Sequence, residues 1–86
     1  MRKGRQELGQ HIVVDPQICH GKPIFKGTRI MVRDVLYFVA KRYDWKQISE
    51  EYNGRLTQEA IAEAIQLARD ALIEKTESNA RYEYPG

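Results

Sequence analysis

Few residues in this chain carry side chains that do chemistry. Cys19 and His20 are adjacent, and His11 is the other imidazole. A Cys–His nucleophile pair needs side chains that converge in space, and neighbours in a loop diverge. Neither a CxxC pair nor two histidines at helical spacing supplies the four ligands of a structural zinc. Gly21-Lys22 lacks the upstream glycine and the following Ser or Thr of a phosphate-binding loop. The sequence therefore predicts no enzyme, no metal and no cofactor. A single cysteine makes no internal disulfide, which fits a reducing, cytoplasmic setting.

Charge is the remaining chemistry. The net charge is only +2, but it is unevenly placed. Residues 1–43 carry nine Lys/Arg against three acids, and residues 44–86 carry five against nine. Such asymmetry points to a polyanionic partner for the basic half, against the blander reading of a solvated surface. Lys26, Arg29 and Arg33, with the basic residues of the first ten, are candidates for phosphate contacts. Arg29 has a structural alternative as an ion-pair partner of Asp15 or Asp34. Arg55 falls in a turn, placed for a phosphate. Gln58, Ala62, Gln66 and Arg69 lie on one strip of a helix, where Gln suits adenine, Arg suits guanine and Ala permits close approach. Glu59, Glu63, Asp70 and Glu74 share the back of that helix and would repel phosphate, so a plain helical hairpin with a solvated face stays open.

The elements that must position these residues follow from patterning. Eighty-six residues predict one domain, over 11–75, with a flexible basic arm at 1–10 and a flexible tail at 76–86. Ile12, Val13 and Val14 form a short β-branched run ended by Asp15-Pro16, read as a strand. Ile24-Phe25 and residues 28–30 flank Lys26-Gly27 as a small hairpin. That hairpin must pack on the helices, pair with the first strand or pair with a second chain. Val32, Val35, Leu36, Val39, Ala40 and Tyr43 make one helical stripe. Phe38 lies off it, beside Arg42. Ile12, Val13, Val14 and Phe38 are accordingly the candidate homodimer interface.

A second helix, over about residues 45–52, starts at Asp44 with Gln47 as capping-box partner and buries Trp45, Ile48 and Tyr52. Asn53-Gly54 ends it. Thr57 caps a long third helix to about residue 75, with Ile61, Ala64, Ile65, Ala68 and Leu72 as its core stripe. Ala60, Leu67 and Ala71 widen that stripe, so the helix should touch more than one neighbour. The fold class predicted is mainly α: a three-helix, helix-turn-helix-like bundle with a short N-terminal β element. No apolar run approaches the roughly 20 residues of a membrane span, and the basic N-terminus has no apolar stretch after it to make a secretory signal.

Residues 12–72 resemble the family catalogued as domain of unknown function 433, whose members are predicted antitoxins of VapB-like toxin–antitoxin pairs. The resemblance is carried by Val13-Val14-Asp15-Pro16, by Ile18-Cys19-His20-Gly21-Lys22-Pro23-Ile24-Phe25-Lys26-Gly27-Thr28-Arg29-Ile30, and by the helices that follow. One departure is Met31, where many members have proline. The resemblance implies a homeodomain-like bundle. It also implies an antitoxin that binds a PIN-like ribonuclease toxin from the neighbouring gene and represses its own operon through operator DNA. In the tail, Arg81, Tyr82 and Tyr84 are candidate toxin contacts, since Tyr and Arg are enriched in binding hot spots. The competing reading is a protein-interaction module without a DNA role.

Overall fold

The computed structural model describes residues 4–78. Three strands, β1 (Gln6–Glu7), β2 (Ile12–Val14) and β3 (Ile24–Phe25), precede three helices, α1 (Val32–Ala40), α2 (Trp45–Glu51) and α3 (Gln58–Ser78). The helical majority is as predicted. The β element is larger, because Gln6 and Glu7, read in sequence as part of an arm, pair with Val14 and Val13. Two polar residues give no strand signal of their own; β2 recruits them through its free edge.

The sheet is antiparallel with order β1-β2-β3. On the other side of β2, Ile12 faces Phe25 and Val13 faces Ile24. The hairpin thus takes the second of its three options, pairing with the first strand. Its turn is closed by the Thr28 N–H donating to the Phe25 carbonyl at 3.0 Å. Gly27 stands in the left-handed region (φ 79°), which the third residue of a type II turn requires. The Thr28 hydroxyl donates to Phe25 O at 2.8 Å and accepts from Ile30 N at 2.9 Å, bracing the turn.

Local signals set the helix ends. Asp44 Oδ1 accepts from Gln47 N at 2.8 Å, and Gln47 Oε1 accepts from Asp44 N at 2.9 Å, completing the predicted capping box. Thr57 Oγ1 accepts from Ala60 N at 3.1 Å at the start of α3. Both α1 and α2 end in the same paired motif. At α1, Arg42 N–H donates to Val39 O and Tyr43 N–H to Phe38 O. At α2, Asn53 N–H donates to Glu50 O and Gly54 N–H to Ser49 O. The motif needs a left-handed residue, supplied by Arg42 (φ 73°) and Asn53 (φ 58°).

The core gathers Ile12, Phe25, Val32, Val35, Ile48, Leu56, Ala60, Ile61 and Ala64 from the sheet and all three helices. Three burial expectations fail. Trp45 is 39% exposed, because Ile48 alone turns α2 into the core. Tyr43, taken as the end of the α1 stripe, lies beyond the left-handed Arg42 and folds back on Phe38, with ring centroids 5.0 Å apart. Ala68 and Leu72, assigned to the core of α3, are exposed, Leu72 by 65%. The core ends before them: Ala68 lines an open groove opposite Leu8 and Leu36, and Leu72 lies one turn further on. No helix among the described residues is long and apolar enough to cross a membrane.

Candidate nucleic-acid interface

Four cationic side chains from three separate parts of the chain converge on one cleft of about 560 Å³. Arg5 comes from the segment entering β1, Lys26 and Arg29 from the β3 turn, and Arg55 from the link between α2 and α3. Between them lie Val13, Ile18 and Ile24 of the sheet and its loop. A second cavity of about 210 Å³ shares Lys26, Thr28 and Arg55 and is lined also by Thr57 and Ala60, so the cleft continues to the N-terminal end of α3. The helix dipole adds partial positive charge at that end.

Each cation is placed by a local device already described. The type II turn carries Lys26 and Arg29 on opposite sides of Gly27 and Thr28. The left-handed Asn53 reverses the chain after α2, and Arg55 N–H then donates to Tyr52 O at 3.0 Å. Arg5 is held by Asp15, whose carboxylate lies 3.8 Å from its guanidinium. Asp15 is 1% exposed and also accepts from Gln17 N at 2.9 Å, so the acid is fixed by the loop it starts. Among the described residues Asp15 pairs with Arg5 rather than with the Arg29 named from sequence; Arg29 is exposed at the cleft.

Four cations give the cleft a positively charged lining suited to an anion. Among the described residues its lining holds no carboxylate, imidazole or thiol. Its hydroxyl, Thr28, is engaged in the turn. Lys26 Nζ lies 3.4 Å from Glu7 Oε2, both largely exposed, and a phosphate can displace such a pair at little cost. Guanidinium groups bind phosphate oxygens in bidentate fashion, and three of the four cations are arginines.

The other sequence candidates divide. Arg33 is exposed on α1 but lines a separate apolar groove, apart from the cleft. Gln58, Gln66 and Arg69 are exposed on the outer side of α3, with Ala62 half-buried among them. Arg69 lies 3.5 Å from Asp70. Ile12 and Val13 are each 1% exposed, buried within their own chain. Val14 is half-buried, paired with Gln6, and Phe38 is half-buried against Tyr43 and Tyr52. Arg81, Tyr82 and Tyr84 lie outside the described residues.

Sequence reasoning missed two residues. Arg5 was only part of a basic arm. Glu63 was taken for a phosphate-repelling acid, yet it accepts from Gln10 N at 2.9 Å and His11 N at 2.7 Å, and lies 3.1 Å from His11 Nδ1. Burial raises its pKa, but those hydrogen bonds and the His11 charge outweigh it and hold the carboxyl below its ordinary value. Its charge is thus spent on the β1–β2 turn. The turn approaches so closely that a Cβ on Gly9 would fall 2.5 Å from Glu63 Oε2. Glycine beside a short strand was the available signal.

The family described as "Protein of unknown function (DUF433)" matches residues 12–68. The chain belongs to that family. Neither the curated proteins nor the solved structures gave a match. The matched segment contains Lys26, Arg29 and Arg55, while Arg5, the fourth cation, precedes it. The family description carries no activity.

Proposed function

We infer that the protein binds the phosphate backbone of nucleic acid through the cleft of Arg5, Lys26, Arg29 and Arg55, as the DNA-binding antitoxin of a toxin–antitoxin pair acting in the cytoplasm. The observation that carries the nucleic-acid reading is the convergence of four cations on one cleft, two of them, Arg29 and Arg55, without an ion-pair partner among the described residues. Because the cleft reaches the N-terminal end of α3, a backbone lying in it passes close to Gln58, the first residue of the polar strip. Phosphates gripped by the cleft fix position, and Gln58, Gln66 and Arg69 supply base contacts. Helix-turn-helix docking in the manner of a homeodomain is part of this proposal, as is autorepression at an operator.

The test is titration of labelled upstream duplex by anisotropy across a salt series. Four phosphate contacts predict a loss of roughly two orders of magnitude in affinity between about 50 and 200 mM salt. Arg29→Ala and Arg55→Ala should each lower the salt slope by about one, uniformly across sequences, whereas Gln66→Ala should change sequence preference and leave the slope alone. No saturable binding at low salt would refute the reading. The antitoxin role is checked separately, by co-expression with the neighbouring PIN-like gene. Rescue of growth with co-elution supports it, and a harmless neighbour with no co-elution overturns it.

A protein-interaction role without DNA is the second reading. It is favoured by an apolar groove between α1 and α3 of about 300 Å³.

A further inference from the structure

The groove faces the part of α3 that the core leaves bare. One wall is made by Leu8, Pro23, Val32 and Leu36, and the other by Ala64, Leu67, Ala68 and Ala71 of α3 itself. Arg33 stands on its lip. Just beyond, Ala71 and Leu72 are exposed, Leu72 by 65%. A trough and an uncovered apolar ridge therefore sit side by side on one helix.

We propose that the groove receives the C-terminal half of α3 from a second copy of this chain, giving a two-fold dimer in which the α3 helices cross antiparallel near Ala68. Three observations select this occupant. The first is reciprocity. A two-fold contact brings the same patch from both copies, and a patch holding both groove and ridge covers both at once. In an antiparallel pair crossing at residue 68, a residue four positions after the crossing meets one four positions before it. Leu72 then lies over Ala64 of its partner, on the groove floor, and Ala68 meets itself. Small side chains at the crossing allow the close interaxial approach that deep seating needs.

The second observation is charge. Among the described residues, Arg33 has no carboxylate within ion-pair distance and Glu74 no cation. Each supplies what the other lacks. The third is composition. The segments outside the described residues, 1–3 and 79–86, read MRK and NARYEYPG and contain no Leu, Ile or Val, so they offer no aliphatic ridge to fill the groove.

This dimer does not depend on the nucleic-acid reading, and its test uses no nucleic acid. Sedimentation of the full chain at roughly micromolar concentration should give twice the 10.0 kDa chain mass. Leu72→Glu should give the monomer with unchanged far-UV circular dichroism, since Leu72 is exposed within its own chain. Arg33→Glu should weaken association about tenfold, and adding Glu74→Arg should restore it. In a Cys19→Ser background, Ala68→Cys should oxidise to a covalent dimer while Gln66→Cys, on the outer side of the helix, should not. A wild-type chain that sediments as a monomer overturns the proposal, and so does a dimer that survives Leu72→Glu or one that crosslinks through position 66 and not 68.

Discussion

At the scale of single residues, Glu63 most changes how the chain is read. Spacing alone put it in an acidic row on the back of α3, yet its oxygens serve two backbone N–H groups and one imidazole more than fifty positions earlier. No local pattern encodes a contact of that range, which is why the sequence did not reveal it. Hydrogen bonds to a charged acceptor contribute about 1–2 kcal/mol where partly exposed, so Glu63→Gln should lower stability by about that amount in urea melts. The pH dependence has a definite sign. The folded carboxyl titrates below the ordinary value of 4.5, so its contribution is fully present above pH 4.5 and is lost as pH falls through the lowered value. Wild type should lose stability over that acid window, and Glu63→Gln should lose less. The cleft cations teach the same lesson. Lys26 and Arg29 were named from the charge of the basic half and Arg55 from its place in a turn, but only pairing of β1 brings Arg5 to join them.

At the scale of elements, the devices that were legible are the local ones. The capping box at Asp44, the Asn53 reversal and the Thr57 cap each depend on residues within five positions of one another, and all three form as expected. The end of α1 was not foreseen, because the left-handed position there is filled by arginine. A non-glycine residue in that region costs about 1 kcal/mol. Arg42→Gly should therefore raise the melting temperature by several degrees, with the Phe38–Tyr43 ring contact retained. A melting temperature unchanged or lowered would show that the Arg42 side chain contributes more than its backbone costs. Apolar periodicity likewise identified the inward face of α3 correctly as far as Ala64. Period specifies a face, however, and says nothing of how far along the helix a neighbour extends, so Ala68 and Leu72 were placed in a core that ends before them.

At the scale of the whole molecule, that overhang divides the chain into a packed body and a projecting helical half. Local opening is easiest where few apolar contacts hold the backbone. Amide exchange in the Leu72→Glu variant should be slow at Ile61 to Ala64 and near the unfolded rate beyond residue 70, and the wild-type chain should show protection restored there if α3 is sheltered by a second copy. The sheet carries a different consequence, for behaviour in concentrated solution. One flank of β3 is already occupied, since Phe25 N–H donates to Ile30 O and Ile24 bridges to Met31. Among the described residues, β1 forms a rim of the sheet, two polar residues long, with Glu7 beside Lys26. A rim so short and so charged is a poor template for strand addition. The β-branched run at Ile12–Val14, the segment most prone to seed fibrils if bared, is enclosed by a neighbour on each side. Prolonged storage at high concentration should therefore yield no thioflavin-positive material until conditions are reached that unfold the chain itself.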